Sequence, residues 1–249
     1  IPSLLKIANF NLSRQVESVK LFEVGRVYIP ESLPLTEFPR ERPVISAVLS
    51  GQRQPLSWTA PKAAVDFYDM KGVVEGLLEN LQVDGVKLVK ADQPHLHPGK
   101  SCALELDGHV IGYFGALHPT VADNFDVPEE TYVLEMELLP LIPFATHVPQ
   151  YTKLAKFPGT SRDIAVVVPE SVTMQELEGV IRENAGSLLR EVRVFDVYTG
   201  KQVAAGSKSV AFNLTFQAAD RTLTDQEIDP VIKEVVAKVA EVYEAQLRK

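Results

Sequence analysis

Two strand-forming segments joined by a glycine-containing turn place the strongest constraint on the fold of this chain. They cover residues 192–198 and 209–217. Hydrophobic residues alternate along the second segment with a period of two, which is typical of a strand with one face in a core. The opposite face of this strand carries Ala211, Asn213 and Thr215. The pattern predicts an antiparallel hairpin with one buried and one open face.

The first segment of the hairpin has no regular alternation. Asp196 is in step with Val194 and Tyr198, whereas Arg193 is in step with Phe195. A strand end or a β-bulge would resolve the conflict and turn Asp196 and Tyr198 toward the open face. A carboxylate acceptor beside an aromatic ring can hydrogen-bond and stack a nucleic-acid base. The alternative is a solvated open face, which is the usual case for an antiparallel sheet.

Helices and strands surround this hairpin in a recognisable order. A short apolar strand covers residues 162–168, and a capping box of Thr173 and Glu176 begins a helix that reaches about residue 184. A second capping box, Thr224 with Glu227, begins a helix through residue 242. With a closing strand at 245–248, the order is βαββαβ, which predicts a ferredoxin-like domain over residues 150–249.

Residues 1–149 predict a separate antiparallel α+β domain. The expected helices cover residues 3–14 and 66–81, and the expected strands cover residues 18–28, 44–50, 101–107, 110–117 and 132–138. Asp107-Gly108 is a hairpin turn signal between two of these strands. His118-Pro119 is interpreted as a loop corner. A chain of 249 residues has the length of two domains.

Composition excludes several kinds of site and location. A single cysteine, Cys102, permits neither an internal disulfide nor a cysteine zinc cage, and the pair His95 and His97 has no obvious third ligand, so no metal site is predicted. The sequence contains neither a membrane-length apolar run nor a signal peptide, so we expect no membrane partner and a cytoplasmic protein.

The net charge of −8 gives no overall attraction to phosphate. The charge is uneven, because residues 1–150 hold 12 Lys and Arg against 19 Asp and Glu, whereas the remainder holds 13 against 14. Any RNA contact therefore depends on local placement of cations. The candidates at the strand side of the second domain are Lys153, Lys156, Arg162, Lys201, Lys208 and Arg221. We expect Lys208 and Arg221 to hold an RNA backbone.

The second domain also resembles a known family. The segments that carry the resemblance are Phe157-Pro158, Arg162-Asp163-Ile164-Ala165, Phe195-Asp196-Val197-Tyr198, residues 206–212 (GSKSVAF) and Arg221-Thr222-Leu223-Thr224. They are similar to the ferredoxin-fold anticodon-binding domain of the bacterial phenylalanyl-tRNA synthetase beta subunit. The resemblance implies that Asp196 and Tyr198 read and stack the first anticodon base of the phenylalanine tRNA, with Ser209 as a weaker candidate. Arg162 and Asn213 complete the predicted tRNA-binding set.

The first domain resembles the catalytic-like domain of the same subunit. The matching segments are residues 21–28 (LFEVGRVY), 69–72 (DMKG), 97–100 (HPGK), 111–119 (IGYFGALHP) and 135–138 (EMEL). The resemblance implies a class II synthetase core without its chemistry. A working core places an Arg after its second-motif strand to stabilise charge on the ATP phosphate, and Ile29 stands there instead. No catalytic residue is predicted.

The family resemblance also implies partners and cofactors. The whole enzyme would pair this subunit with an alpha subunit, in two alpha-beta pairs, and use ATP and magnesium for phenylalanine activation. This segment would supply a scaffold and tRNA recognition, would be inactive alone, and would lack the editing and magnesium sites of the upstream region. The alternative function is a protein-interaction module whose sheet contacts a protein and not RNA.

Overall fold

A computed structural model describes residues 1–146, 148, 151, 154–200 and 203–248. The chain forms two compact units, Ile1–Gln150 and Tyr151–Lys249. The predicted boundary at residues 149 and 150 lies outside the described residues, as do Lys153 and Lys201 of the predicted basic cluster. Each unit has a hydrophobic core of its own.

The first unit is built on a six-stranded antiparallel sheet with the strand order β1-β2-β6-β5-β4-β3. In chain order its elements are α1 (Pro2–Leu12), β1 (Ser18–Ile29), β2 (Arg40–Gly51), α2 (Phe67–Asn80), β3 (Lys87–Lys90), β4 (Leu96–Leu106), β5 (His109–Leu117), α3 (Pro119–Phe125), β6 (Tyr132–Glu137) and a 3-10 turn, Leu139–Leu141. The predicted antiparallel α+β architecture is confirmed.

Helices cover both faces of the central part of this sheet. Ala47 and Leu49 of β2 belong to the core that includes residues of α2, whereas Val48, between them, belongs to a second core that includes residues of α1 and α3. Because successive side chains of a strand point to opposite faces, β2 contributes residues to two cores. This explains why β2 has a nearly continuous run of buried residues.

Two elements of the first unit differ from the sequence-based expectation. Strand β3 was not predicted, because its four residues, KLVK, include only two hydrophobic positions. The interpretation of His118-Pro119 as a loop corner was wrong. The Nδ1 atom of His118 accepts a hydrogen bond from the Thr120 backbone N–H at 3.3 Å, and Pro119 is the first residue of α3. Proline is tolerated there because the first helical N–H has no partner within the helix.

The second unit contains a four-stranded antiparallel sheet with the strand order β10-β7-β9-β8. Its elements are β7 (Thr160–Pro169), α4 (Met174–Ala185), β8 (Leu189–Tyr198), β9 (Ser207–Phe216), α5 (Asp225–Tyr243) and β10 (Gln246–Leu247). The βαββαβ order and this strand arrangement confirm the predicted ferredoxin-like fold.

Both helices of the second unit begin where the sequence predicts. The Thr173 backbone N–H donates to Glu176 Oε2 at 2.7 Å, and the Glu176 N–H donates to Thr173 Oγ1 at 3.2 Å. The Thr224 N–H donates to Glu227 Oε2 at 3.0 Å in the same way. Gly186, at a φ of 70°, ends α4 in a conformation that favours glycine.

The core of the second unit lies on one face of its sheet. Phe212, Leu214 and Phe216 of β9 are buried in a cluster with Leu177 and Ile181 of α4 and with residues of α5. The alternate β9 residues at 211, 213 and 215 are half-buried, on the face away from both helices. The sheet therefore presents one open face, as the alternation in the sequence predicted.

Candidate nucleic-acid interface

A β-bulge sets the direction of the side chains at the end of β8. Val194 lies opposite the core residue Phe212, but Asp196 lies opposite Ala211, so that Phe195 is the extra residue of the bulge. Without it, Asp196 would point into the core. The bulge turns both Asp196 and Tyr198 to the open face and confirms the sequence interpretation.

Asp196, Tyr198, Ser209 and Asn213 all lie on this open face. Tyr198 is opposite Ser209, and the Asn213 Nδ2 atom donates to Asp163 Oδ1 on β7 at 2.6 Å. Asp196 is exposed, and its carboxylate has no hydrogen-bond or ion-pair partner among the described residues. The sheet thus brings together an available anionic acceptor and an aromatic ring.

The C-terminal segment covers part of the same face with Arg248, a site residue that no sequence pattern indicated. The Arg248 Cζ atom lies 5.3 Å from the centre of the Tyr198 ring, and its Nη1 atom donates to Ser209 Oγ at 3.3 Å. The Arg248 backbone N–H donates to the Ala165 carbonyl oxygen at 2.8 Å, which extends the pairing of β10 with β7. Ser209 is consequently only 3% exposed. A closing strand was predicted at 245–248, but so short a strand gives no alternation from which to assign its faces.

The Tyr198 ring also lies directly against the backbone of Gly200. A Cβ atom at position 200 would be 2.5 Å from Tyr198 Oη and 2.7 Å from its Cζ atom. Real Cβ contacts essentially never occur below 3.0 Å. The observed ring position therefore requires glycine at this turn, a feature that the sequence shows only as a turn residue.

Arg162, a predicted tRNA-binding residue, does not join the open-face group. It lies opposite the core residue Leu214, on the side of the sheet that the helices cover. Its guanidinium forms an ion pair with Asp225 and a second with Asp229, with Nε 3.6 Å from Oδ1. These carboxylates, the hydrogen-bonded Asp225 first, raise the pKa of Arg162.

Arg221 and Lys208 also have partners inside the second unit. Arg221 pairs with Glu227, with Nη2 2.7 Å from Oε1, and with Asp220 at 3.1 Å. The hydrogen bond to Glu227 is the main cause of the raised pKa of Arg221. The Lys208 Nζ atom donates to the Glu170 carbonyl oxygen at 3.0 Å. The structure thus separates the three predicted cations from the four open-face residues.

Charged side chains of the first unit pair with one another, as Arg53 does with Asp66 and Asp69. Ile29, which stands where the resemblance places the ATP-binding Arg of a working core, ends β1 and is 38% exposed. Among the residues that the structure describes, no three His, Cys, Asp or Glu side chains are placed to hold a metal ion. Within those same residues, every helix is too short or too polar to cross a membrane.

Comparison with known proteins assigns a family to each part of the chain. Residues 1–138 match the family model described as the phenylalanyl tRNA synthetase beta chain CLM domain. Residues 155–248 match the ferredoxin-fold anticodon binding domain. The pyrrolysyl-tRNA synthetase of Desulfitobacterium hafniense superposes with a TM-score of 0.43 at 14% identity, over 57% of this chain and 47% of that one. That similarity is too low to support an argument.

Curated relatives agree with the two family matches. The phenylalanine–tRNA ligase beta subunit of Symbiobacterium thermophilum is 41% identical over 93% of this chain and 26% of its own length. The corresponding subunits of Bacillus subtilis and Clostridium acetobutylicum are 39% and 37% identical over 100% and 99% of this chain. The chain thus spans 26–31% of the relatives that it matches. It belongs to the phenylalanyl-tRNA synthetase beta-chain family.

Proposed function

We propose that this chain is the C-terminal part of a phenylalanine–tRNA ligase beta subunit, and that its second unit recognises the anticodon of the phenylalanine tRNA. One observation carries the proposal: the bulge in β8 places Asp196 and Tyr198 side by side on the open face of an anticodon-binding-type domain. The Asp196 carboxylate is exposed and has no partner in the described part of the chain.

The chemistry of the two side chains suits the edge and the face of one base. An ionised carboxylate only accepts hydrogen bonds, so it discriminates in favour of a base edge with donors, such as the N–H groups of guanine. An aromatic ring stacks on any base and contributes affinity without much sequence preference. Asp196 would therefore select the first anticodon base and Tyr198 would hold it, with Asn213 as a further polar partner on the same face. Ser209 stays a weaker candidate, because Arg248 covers it and it is only 3% exposed.

Backbone contacts by Arg162, Lys208 and Arg221 remain a prediction. The ion pairs of Arg162 and Arg221 reduce the RNA affinity that each residue is expected to contribute, because binding a phosphate would cost each guanidinium an existing carboxylate contact. Lys208 would give up a single hydrogen bond to a carbonyl oxygen.

The first unit would act as a scaffold for the alpha subunit in an assembly of two alpha-beta pairs. Its edge strand β1 exposes Phe22, Val24 and Tyr28 by 72%, 58% and 57%. These side chains lie on one face of β1, with the exposed Arg26 between Val24 and Tyr28, and form a partly apolar surface of the kind that partners cover. ATP and magnesium would be used by the alpha subunit, since the residues around Ile29 do not fit a site for them. We expect the isolated chain to be inactive in phenylalanine activation and the whole enzyme to be cytoplasmic.

The test is a titration of the full chain with the anticodon stem-loop of the phenylalanine tRNA and with an anticodon-swapped stem-loop. Tyr198→Ala should weaken both complexes by roughly 1–3 kcal/mol. Asp196→Ala should mainly reduce the difference in affinity between the cognate and the swapped stem-loop. Equal affinity of the unaltered chain for both stem-loops would contradict the proposal. Binding of a protein partner to the sheet, with no RNA binding, would instead support the interaction-module alternative.

A further inference from the structure

A groove lies in the second unit beyond the last residue of β9. It has a cavity volume of about 660 Å³ and is lined by Leu154, Lys156, Phe157, Arg190, Gln217 and Asp220 among others. The Gln217 side-chain amide donates to the Phe157 carbonyl oxygen at 2.7 Å, and the Gln217 backbone N–H donates to the Leu188 carbonyl oxygen at 2.9 Å. The first bond ties the wall that contains Phe157 to the end of β9, and the second ties the segment just before Arg190 to the same point.

The groove lies at the opposite end of β9 from the Tyr198 ring. Tyr198 is opposite Ser209, and Gln217 is eight positions after Ser209 along an extended strand. At a rise of about 3.4 Å per residue, the two places are roughly 27 Å apart along the strand. A strand of RNA with one base on Tyr198 could therefore extend along the sheet to the groove.

The cations along this path differ from Arg162 and Arg221 in that they have no carboxylate partner among the described residues. Lys156 and Arg190 line the groove, are exposed, and have no ion pair or side-chain hydrogen bond among the described residues. Arg193, opposite Asn213 on the open face, is likewise exposed and without such a partner in the described ranges. The acid that lines the groove, Asp220, is already paired with Arg221 at 3.1 Å.

This difference in pairing decides which cations can gain from a phosphate. A cation without a counter-ion neutralises a phosphate and releases condensed ions from the RNA, which gives a favourable, salt-dependent free energy. A cation already paired with a carboxylate must exchange one anionic partner for another and gains little. Arg193 on the open face and Lys156 and Arg190 at the groove therefore have no carboxylate partner among the described residues. Lys208 also has no ion-pair partner in the described part of the chain but lies off this path, and the exposed Glu191, opposite Thr215, is an acid on the path.

We infer that the groove of Lys156 and Arg190 binds backbone phosphates of the RNA loop whose base stacks on Tyr198, with Arg193 contacting the backbone between them. The inference rests on the proposed function, and it assigns the phosphate contacts to residues other than Arg162, Lys208 and Arg221. The groove contributes affinity without base preference, since phosphates carry no sequence information.

The experiment compares matched charge removals in the full chain. Arg190→Gln and Lys156→Gln are measured with the cognate and the swapped stem-loop at several salt concentrations. Each variant should make the negative slope of log K against log salt less steep by about 0.7–0.9, the value for one phosphate contact. Each should also lower the affinity for both stem-loops equally. Arg190→Lys keeps the positive charge, so its slope should equal that of the unaltered chain. Arg182→Gln, which removes a cation of α4 that is paired with Glu178 at 2.7 Å and belongs to no predicted RNA contact, is the matched control and should leave the slope unchanged.

Thermal unfolding of each variant shows whether it is folded, and Tyr198→Ala separates the two possible failures. If Tyr198→Ala weakens binding while neither groove variant changes the salt slope, the groove assignment is overturned and anticodon recognition stands. A loss of slope in Arg182→Gln as large as in Arg190→Gln also overturns it. If Tyr198→Ala and the groove variants all leave binding unchanged, or the full chain does not bind RNA, the proposed function and the inference fail together.

Discussion

The position of the Tyr198 ring depends on a residue that has no side chain. Gly200 is not among the glycines with positive φ, so its backbone accepts alanine, yet an added Cβ would meet the ring at 2.5–2.7 Å. We expect Gly200→Ala to displace the ring and weaken RNA binding by at most the Tyr198→Ala effect, on the order of 1–3 kcal/mol. The measurement is stem-loop affinity in a double-mutant cycle with Tyr198→Ala.

The cycle distinguishes positioning from a general structural effect. If Gly200→Ala acts through the ring, it should cause no additional loss of affinity in the Tyr198→Ala background. An equal loss in both backgrounds would show that position 200 matters for another reason. Gly179→Ala, in the interior of α4 with no atom near the added Cβ, is the matched control and should leave affinity unchanged.

Side-chain direction was predictable for some site residues and not for others. The irregular alternation around Phe195 indicated a bulge, so the open-face positions of Asp196 and Tyr198 followed from the sequence. Arg162 is in step with buried residues along β7, so its helix-side position was also readable, although its charge suggested RNA. Arg248 was not predictable, because its place above Tyr198 depends on the pairing of a two-residue strand with β7.

At the scale of one element, the capping box of α5 should make stability depend on pH. The Thr224 backbone N–H and the Arg221 guanidinium lower the pKa of Glu227 from 4.5 to about 2. Because the folded-state pKa is the lower one, the carboxylate stabilises the fold above pH 4.5, and this contribution is lost as the pH falls toward 2. Glu227→Gln should therefore destabilise the second unit at neutral pH and progressively less in acid.

Urea unfolding of both proteins across this pH range measures that difference. A gap in the free energy of unfolding that stays constant down to pH 3 would show that Glu227 acts through its shape and not its charge.

The capping boxes themselves were evident in the sequence because each is a local pattern of four residues. In contrast, α3 was missed because His118 is an uncommon N-cap residue.

The hairpin that predicted the fold should also carry much of the stability of the second unit. Phe212 is wholly buried between the sheet and both helices. Phe212→Ala should lower the free energy of unfolding by roughly 3–5 kcal/mol, because it removes buried apolar contact and leaves a cavity. Ala211→Ser, on the open face of the same strand, is the control and should have a much smaller effect. Equal destabilisation by the two changes in urea unfolding would contradict the assigned faces.

At the scale of the whole molecule, the order of elements in each unit followed from local periodicity and capping, because each such signal lies within a few adjacent residues. The order of the strands in the sheet of the first unit could not be predicted from such local signals. Strand β6 lies between β2 and β5, although more than 80 residues separate Tyr132 from its partner Leu49. Family resemblance, and not periodicity, linked those segments.

The uneven charge of the two units leads to a prediction about RNA affinity. Residues 1–150 carry a net charge of −7, whereas residues 151–249 carry −1. All predicted and proposed RNA-contact residues belong to the second unit, and its core is drawn from residues 164–245. Residues 151–249 expressed alone should therefore fold and bind the stem-loop. In about 10 mM salt, where the Debye length is about 30 Å, they should bind more tightly than the full chain, because the acidic unit no longer repels the RNA.

The salt dependence separates this field effect from direct contact. At about 0.15 M salt the Debye length falls to about 8 Å, and the full chain and the segment should then bind with equal affinity. The measurement is fluorescence anisotropy of a labelled stem-loop with both proteins at the two salt concentrations, after circular dichroism has shown that the segment is folded. A folded segment that binds more weakly than the full chain at both concentrations would show that the first unit contacts the RNA itself.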